Sequence, residues 1–151
     1  MTDRECFEAV RAHLLAQGRR ATLGDTGRCR YRVVEPDGTV LRCAVGCLVP
    51  EEEYVEGIEG CPAHDIAPFL TDAGVLPPCA ARPDAHARRL TLLQRLQRVH
   101  DAVDPAGWRD ALDRQAGSFH PDGALAALPT WDETVAAAGL IGLIGHPVPP
   151  K

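Results

Sequence analysis

Aromatic side chains are scarce: two Trp, two Tyr and three Phe, 5% of the chain. A core claims most of so few, which disfavours the base-stacking platform that single-stranded nucleic acid requires. Positive charge is short as well. Sixteen Lys and Arg against 21 Asp and Glu leave a net charge of −5, the wrong sign for a chain built to wrap phosphates. No uncharged apolar run approaches the ~20 residues of a membrane span; the longest, Val135 to Ile144, stops well short. Met1 to Glu5 carries charge where a signal peptide needs apolar residues, so a cytoplasmic chain without membrane attachment is expected. Six cysteines in 151 residues fall below the ~8–10% of a disulfide scaffold. In a reducing compartment the default for them is free thiols or metal ligands.

What is present suffices for a folded domain. Hydrophobic residues make up 45% of the chain and charged residues 25%, and a chain near ~150 residues reads as a single domain, here 1–151. Fourteen Gly and 13 Pro predict short elements and much irregular backbone. Thr2 and Glu5 have the spacing of a capping box, Phe7, Val10 and Leu14 recur on one helical face, and Gly18 offers a left-handed stop. A β-hairpin is expected next, from Cys29 to Val34 and back from Thr39 to Cys43, around Pro36-Asp37-Gly38. With Glu35 opposite Thr39, the register sets Tyr31 against Cys43, Val33 against Leu41 and Arg32 against Arg42. One face is then apolar. The other collects Arg30, Arg32 and Arg42, a surface for an anion or a partner unless Glu51, Glu52, Glu53 or Glu56 answers it internally.

Beyond the hairpin a short helix is expected through Glu51 to Tyr54 and another from Asp65 to Ala73, ended by Gly74. The longest helix runs from an Asp84 cap to about Val103, with Leu92, Leu96 and Val99 inward and Arg88, Arg95 and Arg98 outward. Asp104-Pro105 opens a helix carrying Trp108, Leu112 and Phe119. Residues 118–130 read as a loop. A second capping box, Thr130 with Glu133, starts an apolar terminal helix over 130–146 with Gly139, Gly142 and Gly145 at every third position. Such an element needs a cover, either its own core, a partner protein or a second copy. The fold class is α+β, mostly α, with one β-hairpin packed against four to six short-to-medium helices.

The segments Cys29-Arg30-Tyr31-Arg32, Cys43-Ala44-Val45-Gly46-Cys47-Leu48-Val49-Pro50, Tyr54, Glu59-Gly60 and Leu96-Gln97-Arg98-Val99-His100-Asp101, with Trp108, resemble a family of small uncharacterised bacterial and bacteriophage proteins. The likeness spans about residues 4 to 112, and Cys43 to Pro50 is its most specific part. It implies a bacterial or phage protein whose activity is unassigned. Cys61-Pro62-Ala63-His64 and the chain after Phe119 lie outside the pattern.

Three chemistries fit the residues. Cys43, Cys47, Cys61 and His64 have the donor types of structural zinc, the one cofactor the sequence admits; the alternative is that Cys43 packs as a small hydrophobe. Cys47, following Gly46 at the start of a helix, is a candidate nucleophile with His100 or His64 as its base, each followed by an Asp. Neighbours on a helix do not face one another, so Asp101 is not expected to orient His100. Whether the protein is an enzyme stays open on these residues. By elimination the favoured function is an accessory or regulatory protein that binds another macromolecule, a protein partner or its own copy rather than nucleic acid.

Overall fold

The Thr2–Glu5 capping box forms. In the computed structural model, which describes residues 1–123, 125 and 126, Glu5 N–H donates to Thr2 Oγ1 and Thr2 N–H donates to the Glu5 carboxylate. Helix α1 spans Asp3–Gln17 and ends on Gly18, whose φ of 66° is the left-handed conformation that only glycine takes without penalty. Phe7, Val10 and Leu14 are fully buried, as the periodicity requires. Buried Arg89 pairs with Asp3 and donates to the carbonyls of Met1 and Val75, tying the start of this helix to the far side of the core.

Strands β1 (Arg32–Val34) and β2 (Val40–Arg42) pair antiparallel in the expected register. The ladder is shorter than the alternation suggests because Cys29 turns away to bridge Thr22, leaving one bond from Cys43 N–H to the Tyr31 carbonyl at 3.4 Å. Tyr31, Leu41 and Cys43 are buried and Val33 is half-buried, so the apolar face lies inward. Side chains close both edges of the ribbon. The Glu59 carboxylate accepts the Tyr31 and Arg32 amides at 2.9 and 3.0 Å. On the other edge Gln17 accepts from Arg42 N–H, and Gln17 and His13 donate to the Arg42 carbonyl. Outside, Glu51 bridges Arg32 and Arg42, which removes their mutual repulsion. Arg30 makes no ion pair among the described residues.

The short helix expected from Glu51 to Tyr54, with Pro50 at its start, forms as a single 3-10 turn, Glu51–Glu53, between two others, Gly46–Leu48 and Glu56–Ile58. Pro50 forces the preceding Val49 into extended backbone. The glutamates after it find no capping side chain and bury nothing that could hold a longer helix. Gly46 lets the first turn lie directly on the hairpin: a Cβ there would sit 1.9 Å from the Tyr31 carbonyl oxygen and 2.7 Å from its carbon.

Helices α2 (Ala67–Asp72) and α3 (Pro83–Ala102) follow. Asp84 is not the cap of α3. Arg82 occupies that place, because Pro83 is preset for the first helical position; Asp84 sits in the first turn, where its charge still favours the helix dipole. Asp104 does cap, accepting from Ala106 N–H at 3.0 Å at the head of a 3-10 turn that leads into α4 (Trp108–Ala116). Phe119 lies past the end of α4, bridged to Leu125 and packed 5.1 Å from the Phe7 ring. Helix α1 packs on α3, on α4 and on the Gly46 turn, so the core lies between them and the inner face of the ribbon. The fold is α+β and mostly α: one hairpin with four α-helices among the described residues. The predicted loop 118–130 is described in part. The Thr130–Glu133 box and the apolar helix 130–146 lie outside the described residues. Among those described, no helix is long and apolar enough to cross a membrane.

Candidate functional site

The last turns of α3 place Gln97, His100 and Asp101 at i, i+3 and i+4, the spacing that brings side chains onto one face. His100 is fully buried and stacks on Trp108, ring centroids 5.5 Å apart. The Ala21 backbone amide donates to His100 Nε2 at 3.0 Å. An amide nitrogen only donates, so Nε2 holds the lone pair and the ring's single proton sits on Nδ1. That proton is given to Asp101 Oδ1 at 2.7 Å. The expectation that Asp101 would not orient His100 is therefore corrected. Gln97, one turn back, donates to the same Asp101 oxygen at 2.8 Å and holds the carboxylate over the ring. Arg20 completes the arrangement by donating to the carbonyls of His100 and Val103 at the helix end.

Gln97 also joins this helix to the hairpin. Its amide donates to Cys29 Sγ at 2.9 Å, and its carbonyl accepts Val45 N–H at 3.3 Å. Cys29 Sγ lies 3.7 Å from His100 Nδ1. A hydrogen bond with the Cys43 thiol, and after it burial, pushes the Cys29 thiol far above its usual pKa. Over this network opens a cavity of about 470 Å³, walled by Cys29, Tyr31, Cys43, Gln97 and Asp101 on one side and by the Gly60-to-His64 segment on the other.

The residues expected to carry chemistry are distributed unevenly around it. Cys43 is on the wall, its sulfur accepting Gly46 N–H at 3.3 Å. Cys61 is half-buried on the facing side, next to the Tyr31 hydroxyl, which donates to its carbonyl at 2.6 Å. His64 stands on the lip, 56% exposed and 3.2 Å from Asp65. Cys47 is not part of the cavity. Its thiol donates to the Ala44 carbonyl at 3.2 Å, and burial pushes its pKa up to about 12. It lies within a single 3-10 turn, too short for the dipole that was to activate it. The zinc set Cys43, Cys47, Cys61 and His64 is thus not brought together. Among the described residues, one trio has donor atoms all within 4.8 Å of one another: Cys29, His100 and Asp101.

No protein family, curated protein or solved structure matches this chain. Its site is read from its own chemistry.

That chemistry is not nucleophilic catalysis by His100. A base must receive a proton on the nitrogen that faces the nucleophile, while an acid orients the ring through the other nitrogen. Here Cys29 and Asp101 both face Nδ1, which already carries its proton, and Nε2 is spent on a backbone amide. The same argument removes His100 as a metal ligand, since ligation through Nδ1 would move the proton to Nε2, against the Ala21 N–H. Sequence reasoning missed Cys29 and Gln97. Signals for both were available: Cys29 alternates with Tyr31 on the face that meets Cys43, and Gln97 shares a helical stripe with His100 and Asp101.

Proposed function

We propose that this chain is a binding module without chemistry of its own, and that it recognises a segment of another macromolecule in the cavity above the Cys29–Gln97–Asp101 wall. The observation that carries this reading is the Ala21-to-His100 hydrogen bond, which leaves the most chemically loaded part of the molecule without a base. The volume is in the range of ligand sites. One wall is fixed beforehand by hydrogen bonds, so binding need not order it. Free thiols in the walls suit a reducing, intracellular setting. The resemblance noted in the sequence points the same way, because its Cys29, Tyr31, Cys43, Gln97 and Asp101 are residues of this wall.

The test is to obstruct the cavity without touching its supports. Gln94 is exposed on α3 and lines the cavity, so Gln94→Trp should fill it while the melting temperature stays within about 2 °C, as for a surface change of ±0.5 kcal/mol. Immobilised wild type should retain a protein from a cell lysate that the variant does not. Equal retention by both would remove the cavity from the function. Iodoacetamide alkylation of Cys29 or Cys47 faster than that of a free thiol would favour the enzyme reading instead.

A further inference from the structure

We propose that the cavity receives a lysine side chain of a partner protein, its ammonium held by the free carboxylate oxygen of Asp101; the assignment rests on the binding reading and gives the partner its chemistry.

Asp101 carries a charge that no Lys or Arg answers among the described residues; its one ion-pair neighbour is the His100 ring, left neutral by the Ala21 bond. Gln97 and His100 both donate to Oδ1, at 2.8 and 2.7 Å, while Oδ2 accepts from no N–H or O–H group among the described residues. One oxygen is pinned and the other is free. The carboxylate is thus aimed before a ligand arrives, and at 41% exposure it can be reached. It stands where two hollows meet, since Cys29 and Asp101 line both the cavity of about 470 Å³ and a neighbouring one of about 560 Å³. The second is walled also by Arg20, whose guanidinium meets two carbonyls and no carboxylate, and so it resists a cation. In the first, Arg98 is exposed and already engaged, and His64 faces Asp65. A cation therefore reaches Asp101 from the first.

The free oxygen also selects among cations. A guanidinium grips a carboxylate as a fork, with two N–H groups on two oxygens. Here Oδ1 is already filled by two donors, which leaves one prong of that fork unplaced. A primary ammonium is a point charge on a flexible four-carbon stem and needs a single oxygen. Cys29, Tyr31, Cys43, Pro62 and Ala63 line the same cavity and offer apolar surface to the stem. Gln94, exposed on α3 beside them, makes no side-chain hydrogen bond among the described residues, so its amide oxygen can take a second ammonium proton. A lone carboxylate suits a single charge: a free polyamine would bring further ammonium groups close to Arg98 and Arg20, with no carboxylate there to answer them. The net charge of −5 draws a basic partner from a distance.

Isotope-labelled full-length protein should be titrated, with its backbone amides followed by NMR, against capped glycine pentapeptides whose central residue is lysine, acetyl-lysine, arginine or norleucine. The lysine peptide should shift the amides of Ala63, Gln97 and Asp101 and bind about 3–10-fold more tightly than the other three, a preference that shrinks as ionic strength rises. Asp101→Asn keeps an oxygen for Gln97 and His100 and puts an N–H donor in place of the free one. It should weaken the lysine peptide by the same factor and leave norleucine unchanged. Acetyl-lysine or arginine binding as tightly as lysine, an undiminished preference in Asp101→Asn, or no shift with any peptide overturns the proposal, as does spermidine binding more tightly than the lysine peptide. Should Asp101→Asn fail to fold, lysine against acetyl-lysine on wild type decides, since acetylation removes the charge from the ligand's side. Lysate retention that Gln94→Trp abolishes, without any lysine preference, sinks this proposal alone and leaves the binding reading; equal retention by both forms removes both.

Discussion

The two walls of the cavity are held by opposite means. The inner one hangs on the core: Tyr31 and Cys43 are buried, Gly46 lies against the Tyr31 backbone, and the Gln97–Asp101–His100 chain is anchored to Ala21 and Trp108. The outer one, Gly60 to His64, alternates exposed and buried positions and hangs from the hairpin by the Tyr31 hydroxyl. Moving the first would unpair several buried polar groups, and moving the second would free the buried Tyr31 hydroxyl alone. The difference is one of how many bonds hold each wall, and it sets which wall a ligand meets already fixed.

Substitutions on the inner wall should therefore cost far more than those outside. Gly46→Ala has the largest expected effect, because the new methyl meets backbone that has no side chain to swing aside; a loss of about 3 kcal/mol or more is expected in urea unfolding, or no folded protein at all. His100→Phe keeps an aromatic ring against Trp108 but strands the buried Ala21 amide, while Asp101 keeps its bond from Gln97. A loss of about 1–3 kcal/mol is expected by the same measurement. Gln97→Leu, tested alongside, should cost less, since Cys29 and Asp101 are only part-buried.

A pH series sharpens the contrast. Cys6 and Cys47 are pushed up to about 11 and about 12 by burial, from a usual value near 9. A thiol that holds its proton more tightly when folded stabilises the fold fully below the unfolded value, and this contribution is lost as pH rises through the folded value. From neutral pH, stability should thus hold to about pH 9 and fall between pH 9 and 12, with a shallower fall in Cys47→Ala. The smallest effects belong outside. His64→Ala and Glu51→Ala should each change stability by no more than about 0.5–1 kcal/mol, since exposed pairs are screened by water. Were His64→Ala as costly as His100→Phe, the distinction between the walls would be lost.

Much of the fold was legible where local chemistry alone decides it. The Thr2–Glu5 box, the Gly18 stop, the hairpin register and the Asp104 cap each involve residues a few positions apart, and each forms as read. The failures have two causes. Some are local: Pro83 takes the first helical position, which moves the cap from Asp84 to Arg82, and the Cys47 thiol faces the Ala44 carbonyl of its own turn. Others depend on what lies across the fold. The His100–Asp101 pair was dismissed by a correct rule about helix neighbours, because the rule knows nothing of Gln97 holding the carboxylate or of Ala21 fixing the ring's proton. Cys29, Gln97 and Ala21 are far apart in sequence, and only the folded chain brings them to one place.

Glu59 has a consequence that reaches beyond the single molecule. With its two oxygens on the Tyr31 and Arg32 amides, Glu59 takes the first donors that a neighbouring chain would need to lay a strand there, and Gln17 and His13 take the Arg42 amide and carbonyl on the opposite flank. Glu59→Ala would uncover a short template beside the exposed Val34 and Val40, and concentrated solutions of that variant are expected to become turbid and bind amyloid dyes while wild type stays clear.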